Sequence, residues 1–570
     1  MFTHSPRLMG VVTLFALATA CRDDPVRPPP VRPASPELDA ARVPSPPAIQ
    51  GDLIRFDRLS DEALWAEIRN AGGTAEIGLR RSGQRHGMAN GRVLISRPER
   101  DVVVRDIGTV AGISVRSADT LLPIASVRVA SLAALSALRK HRNVSFIEPG
   151  RLIPVAGNSK WLSSGSGCSV GFYNGPGGST IISPGDLLPW NYHYMNIPAA
   201  WARVPGGAGV TIGIVDTGID SYQPELTTEF ATGMSTGRTH VIDATAYAHQ
   251  PVYWHDTCGH GTRLASVVAG PRNGKSILGV AWKANLYSVR VDDDVVLTNV
   301  AATRLGIRLA AGHAKLIAMA FGTIAYYQSI SDELSYWYAL DKMFVAAAGT
   351  SVCFGPQRSI VTFPGSEPTV TTVTGLDRSG AVSCDSHYGP AVDFAAFVDQ
   401  PVTGVASLGT VPAGFGGSSN AVGVITGLAA LELSRNPNQT RSELVTALAY
   451  AASPTGLRSN MTGWGSPNAM CVVGGVCAAF IQGTDLIQTY GTRTYSWTAW
   501  QAAAPPWLVS YQWNTGQSTP TISRTVTVTP GMQEYTLVLA VTVRDNVDGS
   551  TRTVTKNVLV RDPYNCPTCW

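Results

Sequence analysis

Charged residues are scarce in this chain of 570 residues, at 15% of the total, and the formal net charge is only +4. The arginines are scattered, so the sequence carries no signature of a nucleic-acid-binding surface. Beyond the N-terminus there is no apolar run long enough to cross a bilayer. Glycine (57) and proline (37) are abundant instead, which is typical of a loop-rich globular protein, and the length predicts two to four domains.

The first 21 residues are arranged like an export signal. Arg7 precedes an apolar run that ends at Ala18, and small residues follow, a layout too short to span a bilayer by itself. Cys21 resembles the lipid-modified cysteine of bacterial lipoproteins. Because Ala18 stands where such signals usually carry Leu, cleavage without lipidation is the alternative. Residues 22–50 are proline-rich and predict an extended tether. We therefore expect a secreted or cell-envelope protein, linked to a bacterial membrane only through a lipid at Cys21.

Eight cysteines remain besides Cys21, and an even number in an exported chain favours disulfides. Their proximity gives three pairs as hypotheses: Cys168–Cys258, Cys353–Cys384 and Cys471–Cys477. For the last two cysteines, in "CPTC", the alternative to a disulfide is a redox-active or metal-binding pair. No second pair or histidine cluster lies near them, which disfavours zinc.

Two regions flank a longer central one. Residues 51–155 end in a strand–helix–strand pattern, in which Ser131 is the expected N-cap of "LAALSALRKH" between the strands "IASVRVA" and "NVSFIEPG". This predicts a small α+β unit. Residues 479–562 alternate at period two, as in "YTLVLAVTVRD", with a hairpin turn at Asp548-Gly549, and a cysteine-containing tail (563–570) follows. The alternation predicts an all-β sandwich.

The central region, residues 156–478, has an α/β pattern. Unbroken apolar runs predict buried strands in "GVTIGIVD", "ANLYSVRV", "AKLIAMAFG" and "KMFVAAAGT", and helical patterns such as "LTNVAATRLGIRLAAGH" lie between them. This alternation predicts a parallel sheet with helices on both faces. In such sheets functional groups collect at the carboxyl ends of the strands.

Three short stretches in this region carry residues suited to nucleophilic catalysis. Asp216 ends a strand in "IVDTGID", His260 precedes a helical run in "HDTCGHGTRLASVVAG", and a serine opens another in "FGGSSNAVGVITG". Each stretch alone is a weak signal. Their order along the chain, Asp then His then Ser, is that of subtilisin-type triads. Together they favour a serine hydrolase.

These motifs resemble those of subtilisin-like serine peptidases. The resemblance implies that Asp216 orients His260, that His260 is the general base, and that Ser419 rather than Ser418 is the nucleophile. It also implies that residues 51–155 are an inhibitory propeptide, removed by cleavage between about Arg151 and Pro189. The C-terminal sandwich resembles Ig-like or PKD-like modules only loosely.

The sequence departs from this family in the oxyanion hole. Thr350 stands where subtilisin-like enzymes usually carry Asn, and the shorter, β-branched Thr side chain reaches less far. The alternative donors are Thr323 and Ser351. The substrate-pairing strand is expected at Ala320, Phe321 and Gly322, where pairing uses backbone groups, and Phe321 is expected to narrow the pocket before the scissile bond.

The leading interpretation is a serine endopeptidase acting on proteins or peptides, inhibited by its own propeptide and requiring no cofactor. Subtilisin-like enzymes often bind structural calcium, but no compact acidic loop identifies ligands, so no metal site is assigned. The runner-up is a pseudoprotease that binds partners at the cell surface. A third reading is a hydrolase of non-peptide esters, which the peptide-pairing strand disfavours.

Overall fold

The computed structural model describes residues 53–80, 88–89, 92–93, 95–151, 167–168, 172–173, 178–182, 184–245, 253–351, 353, 356–409, 412–452, 458–473, 480–484, 486–500, 509–545 and 551–562. The expected export signal with Cys21, the tether, the Asp548-Gly549 turn, Cys477 and the terminal cysteine pair lie outside these ranges. Within the ranges, no helix is long and apolar enough to cross a membrane.

The N-terminal module, residues 53–151, is a four-stranded antiparallel sheet with helices. Its sheet has the strand order β5-β6-β2-β7. The side chain of Ser131 caps the third helix by accepting from the N–H of Ala134 at 3.2 Å, as expected from the sequence. The elements are β1 (Ile54–Arg55), α1 (Asp61–Asn70), β2 (Thr74–Leu79), β3 (Met88–Ala89), β4 (Arg92–Val93), α2 (Arg97–Ile107), β5 (Ile113–Ala118), β6 (Ile124–Val129), α3 (Leu132–Arg139) and β7 (Val144–Pro149).

The central region is built on a seven-stranded parallel sheet of order β11-β12-β10-β13-β15-β16-β17. Its elements are β8 (Ser179–Ile182), β9 (Asp186–Pro189), α4 (Trp190–Tyr194), α5 (Ile197–Trp201), β10 (Thr211–Asp216), β11 (His240–Ala244), α6 (His260–Ala269), β12 (Asn285–Arg290), α7 (Val300–His313), β13 (Leu316–Met319), β14 (Ala325–Tyr326), α8 (Gln328–Ala339), β15 (Met343–Ala347), β16 (Val370–Leu376), β17 (Phe394–Phe397), β18 (Gln400–Val402), β19 (Ala413–Phe415), α9 (Gly417–Arg435), α10 (Arg441–Ala452) and α11 (Ala469–Val472).

Both faces of this sheet are buried, which explains why its strands are continuously apolar. Ile212 and Ala318 point into a core shared with α6 and α9. Val215 and Ile317, which lie an odd number of positions from Ile212 and Ala318 and so face the other side of the sheet, point into a second core shared with α7 and α8. The predicted α/β sheet covered by helices on both faces is therefore confirmed.

The N-terminal module packs against α7 and α8. Its buried side chains, such as Ile77, belong to the same core as Ile307 of α7 and Ile330 of α8. β1 pairs in parallel with β14 through Ile54 and Ala325. The module is thus held by apolar burial and by strand pairing.

The C-terminal region forms two sheets around one core. The sheet orders are β20-β22-β24 and β21-β26-β25-β23. Trp497 of the first sheet and Trp513 of the second are both buried in this core, as the alternation predicts for a sandwich. The strands are β20 (Phe480–Gln482), β21 (Leu486–Ile487), β22 (Gly491–Trp500), β23 (Val509–Trp513), β24 (Thr521–Val528), β25 (Tyr535–Asp545) and β26 (Thr551–Val560).

Two of the three hypothesised disulfides are present, Cys168–Cys258 and Cys353–Cys384. Cys471 is also disulfide-bonded, and Cys477, its hypothesised partner, lies outside the described residues. The first bridge joins the chain that follows the N-terminal module to the residue two positions before His260.

Candidate active site

Asp216 and His260 form a buried hydrogen-bonded pair at the carboxyl end of the central sheet. Asp216 is the last residue of β10, and His260 is the first residue of α6. His260 Nδ1 lies 2.8 Å from Asp216 Oδ1, and both side chains are at most 3% exposed. The same carboxylate oxygen accepts from the N–H of Thr217 at 2.8 Å. A carboxylate held this way fixes the imidazole with Nε2 available as the base.

Asp256, which the sequence analysis did not single out, connects the loops that carry this pair. Its Oδ1 accepts from Thr217 Oγ1 at 2.8 Å and from the N–H groups of Cys258 and Gly259 at 3.1 and 2.7 Å. Its Oδ2 accepts from the N–H and the hydroxyl of Thr262 at 2.9 and 2.6 Å. Asp256 therefore holds the loop after β10 against the N-terminus of α6.

Glycines allow the two loops to approach each other. A side chain at Gly261 would overlap the carbonyl of Gly218. Gly218 itself has φ 109°, and a Cβ there would lie 2.5 Å from the carbonyl oxygen of Trp254. These two glycines of the Asp-Thr-Gly and His-Gly-Thr stretches are required by the packing.

Ser419 is the third residue of α9. Its backbone N–H is one of the helix-terminal donors without an intrahelical acceptor, so it is free to donate to a negatively charged oxygen. Its hydroxyl contacts the carbonyl of Ala320 at 3.2 Å. Among the described residues no hydrogen bond joins Ser419 to His260. The structure brings the three predicted residues to one edge of the sheet, with the serine turned toward the Ala320 strand.

Ser418 has a different environment from Ser419. It is fully buried, its hydroxyl donates to the carbonyl of Gly349 at 2.7 Å, and it accepts from the N–H of the same residue at 3.1 Å. Thr350 Oγ1 lies 3.1 Å from Ser418 Oγ and accepts from the Ser418 N–H at 3.3 Å. A Cβ on Gly417 would lie 2.6 Å from Thr350 Oγ1. Thr350 therefore lies against the turn that carries Ser419.

The two alternative oxyanion donors are less exposed than Thr350. Thr323 is buried, and its hydroxyl accepts from the N–H of Ala325 at 3.3 Å. Ser351 is half-buried, and its N–H donates to the backbone carbonyl of Asp385 at 2.9 Å. Thr350 is exposed at the site, so of these three hydroxyl groups it is the best placed to donate to a reacting oxygen.

Gly322, at the end of the expected substrate-pairing strand, is already paired with another part of the chain. The N–H of Gly322 donates to the carbonyl of Val295 at 3.0 Å, and its carbonyl accepts from the N–H of Leu297 at 3.1 Å. Asp292 closes this loop by accepting from the N–H groups of Thr298 and Asn299 at 2.7 and 2.9 Å. Phe321 is 5% exposed and belongs to the core under the N-terminal module, so its ring does not narrow an open pocket.

Gly167 and Cys168 lie next to His260. A Cβ on Gly167 would be 3.0 Å from Cδ2 of His260 and 2.8 Å from Val295. Arg263 donates to the carbonyl of Gly167. Because Cys168 is bonded to Cys258, this short piece of chain is fixed beside the imidazole.

Comparison with known proteins identifies the family. Residues 207–465 match the peptidase S8 family, described as the subtilase family. The thermostable alkaline protease of Halalkalibacterium halodurans is 30% identical over 281 residues, which cover 48% of this chain and 72% of that protein. The chain belongs to the subtilase family. The alkaline elastase YaB of Bacillus sp. strain YaB is 28% identical over 284 residues, 49% of the subtilase and 68% of the elastase.

Among solved structures, MycP1 from the ESX-1 type VII secretion system aligns with a TM-score of 0.40 and 21% identity, over 55% of the subtilase and 93% of that chain. Family membership makes the subtilase a subtilisin-like serine endopeptidase and a hydrolase of protein or peptide substrates. The described residues contain no group of three or more His, Cys, Asp or Glu side chains that could hold a metal ion.

Proposed function

We propose that this subtilase is an exported endopeptidase that cleaves peptide bonds through a covalent acyl-enzyme, with Asp216, His260 and Ser419 as its triad. The observation that supports this most strongly is the buried 2.8 Å hydrogen bond between His260 and Asp216, combined with Ser419 at the N-terminus of α9. A hydroxyl needs a base to become nucleophilic, and an imidazole oriented by a carboxylate is such a base.

The reaction follows from these positions. Ser419 Oγ leaves the Ala320 carbonyl, transfers its proton to His260 Nε2 and attacks the substrate carbonyl carbon. The Ser419 N–H and the Thr350 hydroxyl donate to the resulting oxyanion. His260 then gives the proton to the leaving amine as the C–N bond breaks. A water molecule, deprotonated by the same imidazole, hydrolyses the acyl-enzyme and restores Ser419.

The N-terminal module is the proposed intramolecular inhibitor. Glu148, on its last strand, caps α8 by accepting from the N–H groups of Gln328 and Ser329 at 2.8 and 3.2 Å. Two residues later the Gly150 carbonyl accepts from the N–H of Val300 at 3.3 Å, and Arg151 pairs with Asn299. The chain thus leaves the module beside the loop that covers Gly322. Cleavage after Arg151 and before Pro189 would free the module.

The test is to express the whole chain and its Ser419→Ala variant in an exporting host. Wild type should lose the N-terminal module and react with a fluorophosphonate probe, and the variant should do neither. Ser434→Ala is the matched control, because it removes a hydroxyl at the other end of the same helix, where it donates to the carbonyl of Ala208. Equal absence of processing and labelling in wild type and Ser419→Ala would reject the proposal. Mass analysis of the mature N-terminus would test lipidation of Cys21.

A non-catalytic binding protein is the second candidate. Two observations favour it: Ser419 contacts Ala320 instead of His260, and both backbone groups of Gly322 are already paired. A binding protein of this kind would hold peptides without cleaving them. The same probe experiment separates the two candidates, because fluorophosphonates react only with an activated serine.

A further inference from the structure

A cavity of about 800 Å³ lies between the central region and the β-sandwich, next to the turn that carries Ser419. This volume is in the range of pockets that bind ligands or side chains. The subtilase match ends at residue 465, so the wall contributed by the sandwich lies outside the part that the family shares. The walls from the two sides include Trp190, Asp399, Gly416, Thr489, Arg493 and Tyr495.

The cavity lies where the leaving half of a cleaved peptide would pass. Phe415 is one of its walls, and the centroid of the Phe415 ring is 5.1 Å from that of His260, the proposed proton donor to the leaving amine. The acyl half is assigned to the Ala320 strand. A peptide that continues past His260 crosses Phe415 and Gly416 within its first few residues, because each extended residue adds about 3.3–3.6 Å.

Asp399 is the carboxylate on this wall next to the nucleophile turn. It fills the space that a side chain at Gly416 would need. Its backbone has φ 64°, in the left-handed region, and its carbonyl accepts from the indole N–H of Trp190 at 3.0 Å. The side chain is exposed to the cavity. Within the described part of the chain, no hydrogen bond or ion pair reaches its carboxylate. Asp adopts this left-handed backbone more readily than most residues, and here it presents a carboxylate to the cavity.

The charges around Asp399 favour a cation. Limited solvation is the main cause that raises the pKa of Asp399, to about 6, and the negative charges of Asp385 and Asp377 add to it. The positive charge of Arg378 opposes this shift. Arg378 is stacked on Trp190 at 3.9 Å. Arg493 lies on the sandwich wall and is not among the groups that shift this pKa. Because the described residues contain no cluster of metal-ligating side chains, an organic cation fits better than a metal ion.

We propose, building on the peptidase function above, that this cavity is a specificity site for a lysine or arginine side chain among the first three residues after the scissile bond. Asp399 pairs with the cation, and the β-sandwich closes the far wall. The C-terminal sandwich thereby takes part in substrate selection.

The test uses the full, processed enzyme and internally quenched peptides that differ only in Lys, Gln or Glu at one of these three positions. Active sites are counted with a fluorophosphonate probe, so that the rates refer to folded enzyme. Wild type should show a kcat/KM about tenfold higher for Lys than for Gln at one position, the size of a charge-assisted contact. The Lys-to-Gln ratio of kcat/KM should decrease when the pH is lowered below about 6, because Asp399 becomes protonated.

Asp399→Asn should bring the Lys-to-Gln ratio close to 1 and remove its pH dependence, since Asn also tolerates a positive φ. Glu534→Gln, which removes an exposed carboxylate of the sandwich outside the cavity, should keep the wild-type ratio. A wild-type ratio near 1 with efficient cleavage of the Gln peptide overturns the site but leaves the peptidase function intact. An unchanged ratio in Asp399→Asn also overturns it. Absence of any cleavage rejects both proposals.

Discussion

The hydroxyl of Thr350 lies 3.1 Å from that of Ser418, the residue immediately before the proposed nucleophile. Ser418 is also bonded to both backbone groups of Gly349. The segment at 349–350, which follows β15, and the start of α9 are therefore held together through one buried serine. This contact places the Thr350 side chain against the turn that carries Ser419, at the position where the family usually has Asn.

Replacing Thr350 tests how much its hydroxyl contributes. Thr350→Val removes the donor at nearly constant shape and should lower kcat by about 10²-fold, a magnitude known from the equivalent donor of a subtilisin. Thr350→Asn supplies a longer donor and should speed release of the N-terminal module. Both are measured as processing rates and as fluorophosphonate labelling rates. If Val and Asn variants both match wild type, Thr350 is not an oxyanion donor.

Asp256 should act by positioning His260. In Asp256→Asn an amide would face two of the five donors that the carboxylate accepts, which loosens the loops carrying Asp216 and His260. We expect kcat to fall roughly 10- to 100-fold with a smaller change in KM, since small misplacements of catalytic groups cost this much. Glu229→Gln, which breaks only a partly exposed pair with Lys275, should stay within about twofold. An equal effect of the two variants would contradict the positioning role.

Retention of the N-terminal module after cleavage should depend on pH through Glu148. Burial raises the pKa of this carboxyl from its ordinary value of 4.5 to about 8. A group with a raised pKa in the docked state stabilises docking fully below pH 4.5, and this contribution is lost as the pH rises to about 8. Size-exclusion chromatography of the processed enzyme should therefore show up to about tenfold weaker retention per pH unit across this window.

Glu148→Gln imitates the neutral carboxyl and should flatten this dependence. Glu62→Gln, on the exposed face of α1, should leave it unchanged. If the wild-type enzyme released its N-terminal module more readily at low pH than at high pH, groups other than Glu148 would control docking. Asp119 cannot weaken docking as the pH rises. Limited solvation would raise its pKa, but this is outweighed by Arg304 and Arg308, which lower the pKa to about 2.

The sequence was sufficient for the parts of the fold that local patterns determine. Continuous apolar runs predicted strands such as the one ending at Asp216, because a sheet covered on both faces needs apolar residues at every position. The choice of Ser419 over Ser418 followed from the register of the motif, and the two hydroxyls do occupy different environments, one at the site and one buried.

Contacts between distant backbone groups could not be predicted. The pairing of Gly322 with Val295 and Leu297 uses N–H and C=O groups that every residue type carries, so no side chain reports it. The same applies to the cavity beside Asp399, which exists only because the sandwich packs there. Asp256 was detectable in principle, as a carboxylate four positions before His260, but its five donors are set by the fold.

The pairing of Gly322 implies that the loop over it must open before an extended peptide can bind. Asp292 holds that loop closed, so Asp292→Asn, whose amide would face N–H donors, should favour the open state. Apparent affinity scales with the fraction of molecules that are open. We therefore expect KM to fall about tenfold for peptides with four residues before the scissile bond and to stay constant for those with one. Asp294→Asn is the matched control, because within the described residues that carboxylate accepts a hydrogen bond from the neighbouring N–H of Val295 and from no other group. A rise in KM for long peptides in Asp292→Asn would show that the closed loop is part of the binding surface and not a barrier to it.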